Sequence, residues 1–106
     1  MTVPVMANPR RGEAEIDAGG RMRVLRPTFA ALAATEDEIG SLFALVERAG
    51  EGGLRMAEIA ALFWHCCADR EGLTREGMAE AIAARGLAAC APPLRTLLVQ
   101  ILQGRP

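Results

Sequence analysis

Residues 13–26 read Glu13-Ala14-Glu15-Ile16-Asp17-Ala18-Gly19-Gly20-Arg21-Met22-Arg23-Val24-Leu25-Arg26, two alternating runs on either side of a glycine pair. Side chains on a strand point to opposite faces in turn, so this alternation predicts a β-hairpin. Gly19 and Gly20 supply the positive φ that a tight turn requires. The pattern places Ala14, Ile16 and Ala18 on the inner face of the first strand and Met22 and Val24 on that of the second, with a one-residue slip at Leu25. Glu13, Glu15 and Asp17 then oppose Arg21, Arg23 and Arg26 as cross-strand charge pairs on the outer face. A two-stranded ribbon is marginal alone, so it must pack on the rest of the chain.

Downstream of the ribbon the chain reads as helix. Pro27 fixes the strand exit, Thr28 is an N-cap, and a helix runs to about Ile39 with Phe29, Leu32, Ala33 and Ile39 on one side and Gly40 as its stop. Ser41 caps a second helix with the stripe Leu42, Leu45, Val46 and Ala49, broken by the glycines of 50–53. A third covers about 55–69, where Ile59, Leu62, Phe63 and Cys66 recur at helical spacing. Thr74 caps a fourth, carrying Met78, Ala81 and Ile82 and closed by Gly86. Pro92 and Pro93 fit the first turn of a last helix whose apolar face is Leu94, Leu97, Leu98, Ile101 and Leu102. The fold class is α+β, mainly α: an N-terminal hairpin followed by four to five short helices. Upstream, residues 1–11 carry two prolines and Arg10-Arg11 without apolar periodicity, which predicts a flexible arm before a single domain over 12–106.

The chain has 106 residues, 51% hydrophobic and 24% charged, enough for one independent core and too apolar for general disorder. It contains no run of the roughly 18 apolar residues a membrane span needs, and its start lacks the apolar centre of an export signal. The expectation is a small protein of the bacterial cytoplasm, without membrane contact. Twelve basic and thirteen acidic residues give a net charge of −1, too little clustered basic charge for nucleic-acid binding. Three cysteines, Cys66, Cys67 and Cys90, are an odd number, which together with the missing export signal predicts reduced thiols.

His65-Cys66-Cys67 is the only cluster of metal-capable side chains. Consecutive residues on a helix point about 100° apart, unlike the spaced ligand pairs of zinc sites. Cys66 lies on the apolar stripe and reads as core, and His65 can meet Asp69 one turn on. The loop 69–76 would put Cys67 in the first calcium-ligand position, which excludes a hard cation there. Trp64 adjoins the third helix's stripe, either as core or as an exposed partner anchor. No cofactor, metal site or catalytic constellation emerges, and the chain is not expected to be an enzyme.

The order of parts resembles a known family. Met6-Ala-Asn-Pro-Arg-Arg-Gly-Glu-Ala-Glu-Ile, the Gly-Gly-Arg turn, and Arg26-Pro27-Thr28-Phe29-Ala30-Ala31-Leu32-Ala33 are similar to the gene transfer agent family of small phage-tail proteins. The similarity continues through Ile39-Gly40, Gly52-Gly53-Leu54, Ala57-Glu58-Ile59 and Leu73-Thr74-Arg75-Glu76. It implies a tail assembly chaperone that binds the tape-measure protein, keeps its apolar helices soluble and helps recruit tail-tube subunits. Thr35-Glu36-Asp37-Glu38 and His65-Cys66-Cys67 depart from the family pattern. The candidate partner contacts are Phe63, Trp64, Leu94, Leu98, Ile101 and Leu102, through which self-association is also expected.

Rival readings are a small thiol or metal-binding protein using His65, Cys66, Cys67 and Cys90, a minor structural tail component, and a transcriptional regulator. The last is disfavoured by Glu76 and Glu80 on the candidate recognition helix.

Overall fold

A computed structural model describes residues 7, 8 and 12–104. The arm expected over 1–11 lies mostly outside the described residues. Strands β1 (Ala14–Ala18) and β2 (Arg21–Leu25) precede helices α1 (Phe29–Ile39), α2 (Leu42–Gly50), α3 (Met56–Cys66), α4 (Arg75–Arg85) and α5 (Leu87–Gln103). The fold is α+β and mainly α, as the periodicities indicate.

The hairpin forms, but its second strand is phased differently from the expectation. Gly19 and Gly20 have φ of 62° and 85°, so the two-residue turn sets Ala18 opposite Arg21, Ile16 opposite Arg23 and Ala14 opposite Leu25. Residues directly opposite share a face, so Arg23 and Leu25 lie inward with Ala14, Ile16 and Ala18. Arg23 is 2% exposed; of the two residues expected inside, Met22 is 56% exposed, while Val24 is buried as expected. Burial of the guanidinium is sustained by backbone oxygens: Nε donates to Ala18 O at 2.9 Å, and Nη1 to Glu71 O at 2.6 Å and Asp69 O at 3.3 Å. A Cβ at Gly19 would lie 2.9 Å from Arg23 Nη2, a second reason for glycine there.

Of the expected cross-strand charge pairs, Glu13–Arg26 forms at 3.1 Å. The others do not, because Glu15 opposes Val24 and Asp17 opposes Met22. Arg21 instead reaches Asp69 at 2.7 Å, and Asp17 lies 3.5 Å from Arg85.

Hydroxyl caps start three helices where the sequence places them: Thr28, Ser41 and Thr74 accept from the N–H of Ala31, Ala44 and Gly77. Of the stripe expected on α1, Leu32 and Ile39 pack against the core, but the inner face is centred between them and residues the stripe left out. Ala31 and Thr35 are buried, with Thr35 Oγ1 donating to Ala31 O, while Phe29 is 89% exposed. Helix α3 ends at Cys66, short of the expected 69, because Cys66–Ala68 turn to run along β2. Arg26 N donates to Cys66 O at 2.7 Å and Ala68 N to Val24 O at 2.9 Å. The last helix starts at Leu87, immediately after Gly86, and α4 and α5 meet at a bend of 117°. Pro92 and Pro93 are therefore interior, and the ladder lacks the two donors that would reach Ala88 and Ala89.

Leu25, Leu45, Leu62, Phe63, Met78, Ile82 and Leu97 form the centre of the core, each almost wholly buried. Full burial of such side chains stabilises by roughly 1.5–3 kcal/mol apiece. Among the described residues no single helix is long and apolar enough to cross a membrane.

Candidate functional site

Two helices carry more apolar surface than the core takes up. On α2, Leu42 and Leu45 are buried, leaving Val46 and Ala49 on the flank of the same stripe. On α5, Leu97 is buried, and Leu94, Leu98 and Leu102 follow at successive turns beside it. The two flanks face each other across an open groove of about 320 Å³, lined also by Ala91, Arg95 and Val99. Val99 is 46% and Leu102 57% exposed, so the groove keeps a substantial apolar rim in water. Arg95 is the only ionisable side chain in the lining and forms no ion pair among the described residues.

The sequence candidates distribute over three places. Leu94, Leu98 and Leu102 line the groove. Ile101 is half-buried and packs against the core. Phe63 is 0% exposed and belongs to the core, where it has no surface to offer a partner. Trp64 is half-buried outside the groove lining, with the Arg70 guanidinium 4.7 Å from its ring centroid. Val46 and Ala49 were legible as an apolar stripe, but the stripe did not reveal that only half of it enters the core. Ala91 and Val99 carried no distinguishing signal.

The polar cluster near the end of α3 has another role. His65 Nε2 lies 2.9 Å from Glu38 Oε1, not against Asp69 as the helical spacing suggested. Arg75 clamps the same carboxylate from α4, Nη1 donating to Oε1 at 3.0 Å and Nη2 to Oε2. Chiefly through Arg75 and then His65, the Glu38 carboxyl is held down at about 2. Asp69 is committed to Arg21 and to the N–H of Glu71. All three thiols are buried. Burial pushes Cys66 up to about 12 and raises Cys67 and Cys90 as well, the reverse of what a reactive thiol requires. Among the described residues no group of three or more His, Cys, Asp or Glu side chains converges as metal ligands.

A family profile described as phage tail tube protein, GTA-gp10, matches residues 11–104, a span that contains both strands, all five helices and the groove. The chain belongs to this family, and is thereby a gene transfer agent or phage tail protein. Comparison with curated proteins found no significant match. Comparison with solved structures likewise found none.

Proposed function

We propose that the protein is a tail assembly chaperone of a phage-like gene transfer agent. In this role the α2–α5 groove receives an apolar helical segment of the tape-measure protein and shields it while tail-tube subunits are recruited. The observation that carries the reading is the groove itself: leucines at successive turns of α5, facing a second apolar helix flank, suit a helix laid into a groove. Family membership supports a place in tail construction. The work is non-catalytic and takes place in the bacterial cytoplasm, where the tail is assembled. An open groove suits a complex that must be handed on to tube subunits.

Co-expression with the tape-measure and tail-tube proteins of the same cluster, followed by size-exclusion chromatography, tests it. Tape measure should co-elute with the parent chain and be lost with Leu102→Asp, whose parent side chain is exposed enough for the fold to survive. Failure of the tape measure to associate overturns the reading. The family's description as a tail tube protein favours a second reading, a structural component of the tube. Finding the chain in purified, finished particles at tube stoichiometry would establish that reading instead.

A further inference from the structure

Among the described residues, the hairpin has one closed edge and one open edge. A two-residue turn makes Ala18 and Arg21, Ile16 and Arg23, and Ala14 and Leu25 the pairs that exchange backbone bonds. The N–H and C=O of Glu15 and Asp17 therefore point away from β2. The same alternation is visible across the ladder, where Val24, opposite Glu15, turns its carbonyl outward and accepts from Ala68 N. Residues 66–68 thus close the outer edge of β2. Among the described residues no corresponding cover lies on β1, and nothing bonds the backbone groups of Glu15 or Asp17 on that side.

Beyond this edge is an open groove of about 460 Å³ between Asp17 and Ala18 on the strand and α4 on the far side. Ala81 and Ala84 keep the helical wall low, and Glu80 stands on it. An extended chain can approach such an edge closely enough to bond it. The charge leans acidic: Asp17 and Glu80 line the groove against the single basic Arg85, and Glu15 adds a carboxylate farther along the strand. Glu15 and Glu80 form no ion pair among the described residues, and Asp17 meets Arg85 only at 3.5 Å with both side chains substantially exposed. A second copy pairing antiparallel about Ile16 would set Glu15 against Asp17 twice, and like charges directly opposite destabilise a ladder.

We infer that the outer edge of β1, with α4 as its facing wall, docks an extended basic segment of a partner protein as a third strand. This edge shares no lining residue with the α2–α5 groove and stands independently of the chaperone reading.

The test uses the full chain and two labelled peptides, one alternating arginine with valine and the other glutamate with valine, followed by fluorescence anisotropy at low and high salt. The basic peptide should bind in a salt-sensitive manner and the acidic one should not. Glu15→Pro removes an outward N–H that the hairpin ladder does not use, and should weaken binding by about tenfold or more, whereas the charge-only control Glu15→Gln should weaken it less. Ala84→Trp fills the groove from the exposed face of α4 and should reduce binding even if Glu15→Pro disturbs the hairpin. Four outcomes overturn the proposal: no binding of the basic peptide, equal binding of both peptides, equal effects of Glu15→Pro and Glu15→Gln with no effect of Ala84→Trp, or a dimer of the chain dissolved by Glu15→Pro.

Discussion

Arg23 Nη1 donates to the carbonyl of Glu71 at 2.6 Å, joining the hairpin to a loop 48 residues later. The guanidinium is 2% exposed and satisfied by carbonyls in place of a carboxylate. Truncating it empties a buried site and removes the donor shared by Ala18, Asp69 and Glu71, which keep only Arg21 and the Cys67 thiol. Arg23→Ala should lower the unfolding free energy by about 3 kcal/mol, read by urea denaturation. Arg23→Lys should recover only part of this, because an ammonium cannot span the turn and the loop as the planar fork does.

Glu38 couples three helices through one carboxylate, receiving His65 from α3 and Arg75 from α4. Its folded carboxyl titrates at about 2, below the ordinary 4.5, so protons bind the unfolded chain more readily. Whatever stability the cluster contributes is complete above about 4.5 and is lost as pH falls toward 2. The side chain is 39% exposed, and solvent screening keeps the effect small. In Arg75→Ala the Glu38 carbon resonance should titrate closer to 4.5 than in the parent.

The thiols should be inert in the native protein. Cys66 and Cys90 are each 1% exposed and Cys67 5%, and burial raises all three. An aromatic disulfide reagent should label none of them promptly at neutral pH and all three in guanidinium chloride. Prompt labelling of one native thiol would show that its end of the core opens on the timescale of mixing.

Pro92 sits in the second turn of α5, exposed, where its ring crowds the Ala88 carbonyl. Pro92→Ala restores a donor and removes that crowding, a gain of about 3 kcal/mol in an ideal helix interior. The added freedom of the unfolded chain opposes it by only about 1 kcal/mol or less. The variant should therefore melt higher, as followed by circular dichroism.

Local chemistry made much of the fold legible. Thr28, Ser41 and Thr74 each cap a helix through a hydroxyl and an N–H three residues on, so their signal is contained in a few adjacent positions. Gly19-Gly20 marked the turn for the same reason. The inner face of the first strand, Ala14, Ile16 and Ala18, was legible, but that of the second was not, because Arg23 is inward only by virtue of oxygens that include those of residues 69 and 71. The early start of α5 was hidden by prolines that ordinarily mark a helix entrance. At the groove, the leucine spacing on α5 was readable, but not which leucines the core would claim: Leu97 goes inside while Leu94 and Leu98 stay at the flank. Phe29 and Phe43, the most hydrophobic-looking residues of the first two helices, stand 89% and 67% exposed, against any reading based on residue type alone.

The clasp of β2 by Cys66–Ala68 has a consequence for synthesis on the ribosome. The ribbon emerges first, yet the residues that close its edge and bond Arg23 are translated more than forty positions afterwards. A bare two-stranded ribbon has little stability of its own. The nascent amino-terminal third must therefore wait, with its polar backbone open, until α3 and the loop after it have cleared the exit tunnel. Folding of this chain is then gated by the arrival of Glu71, and a stall before that codon should leave the ribbon unformed.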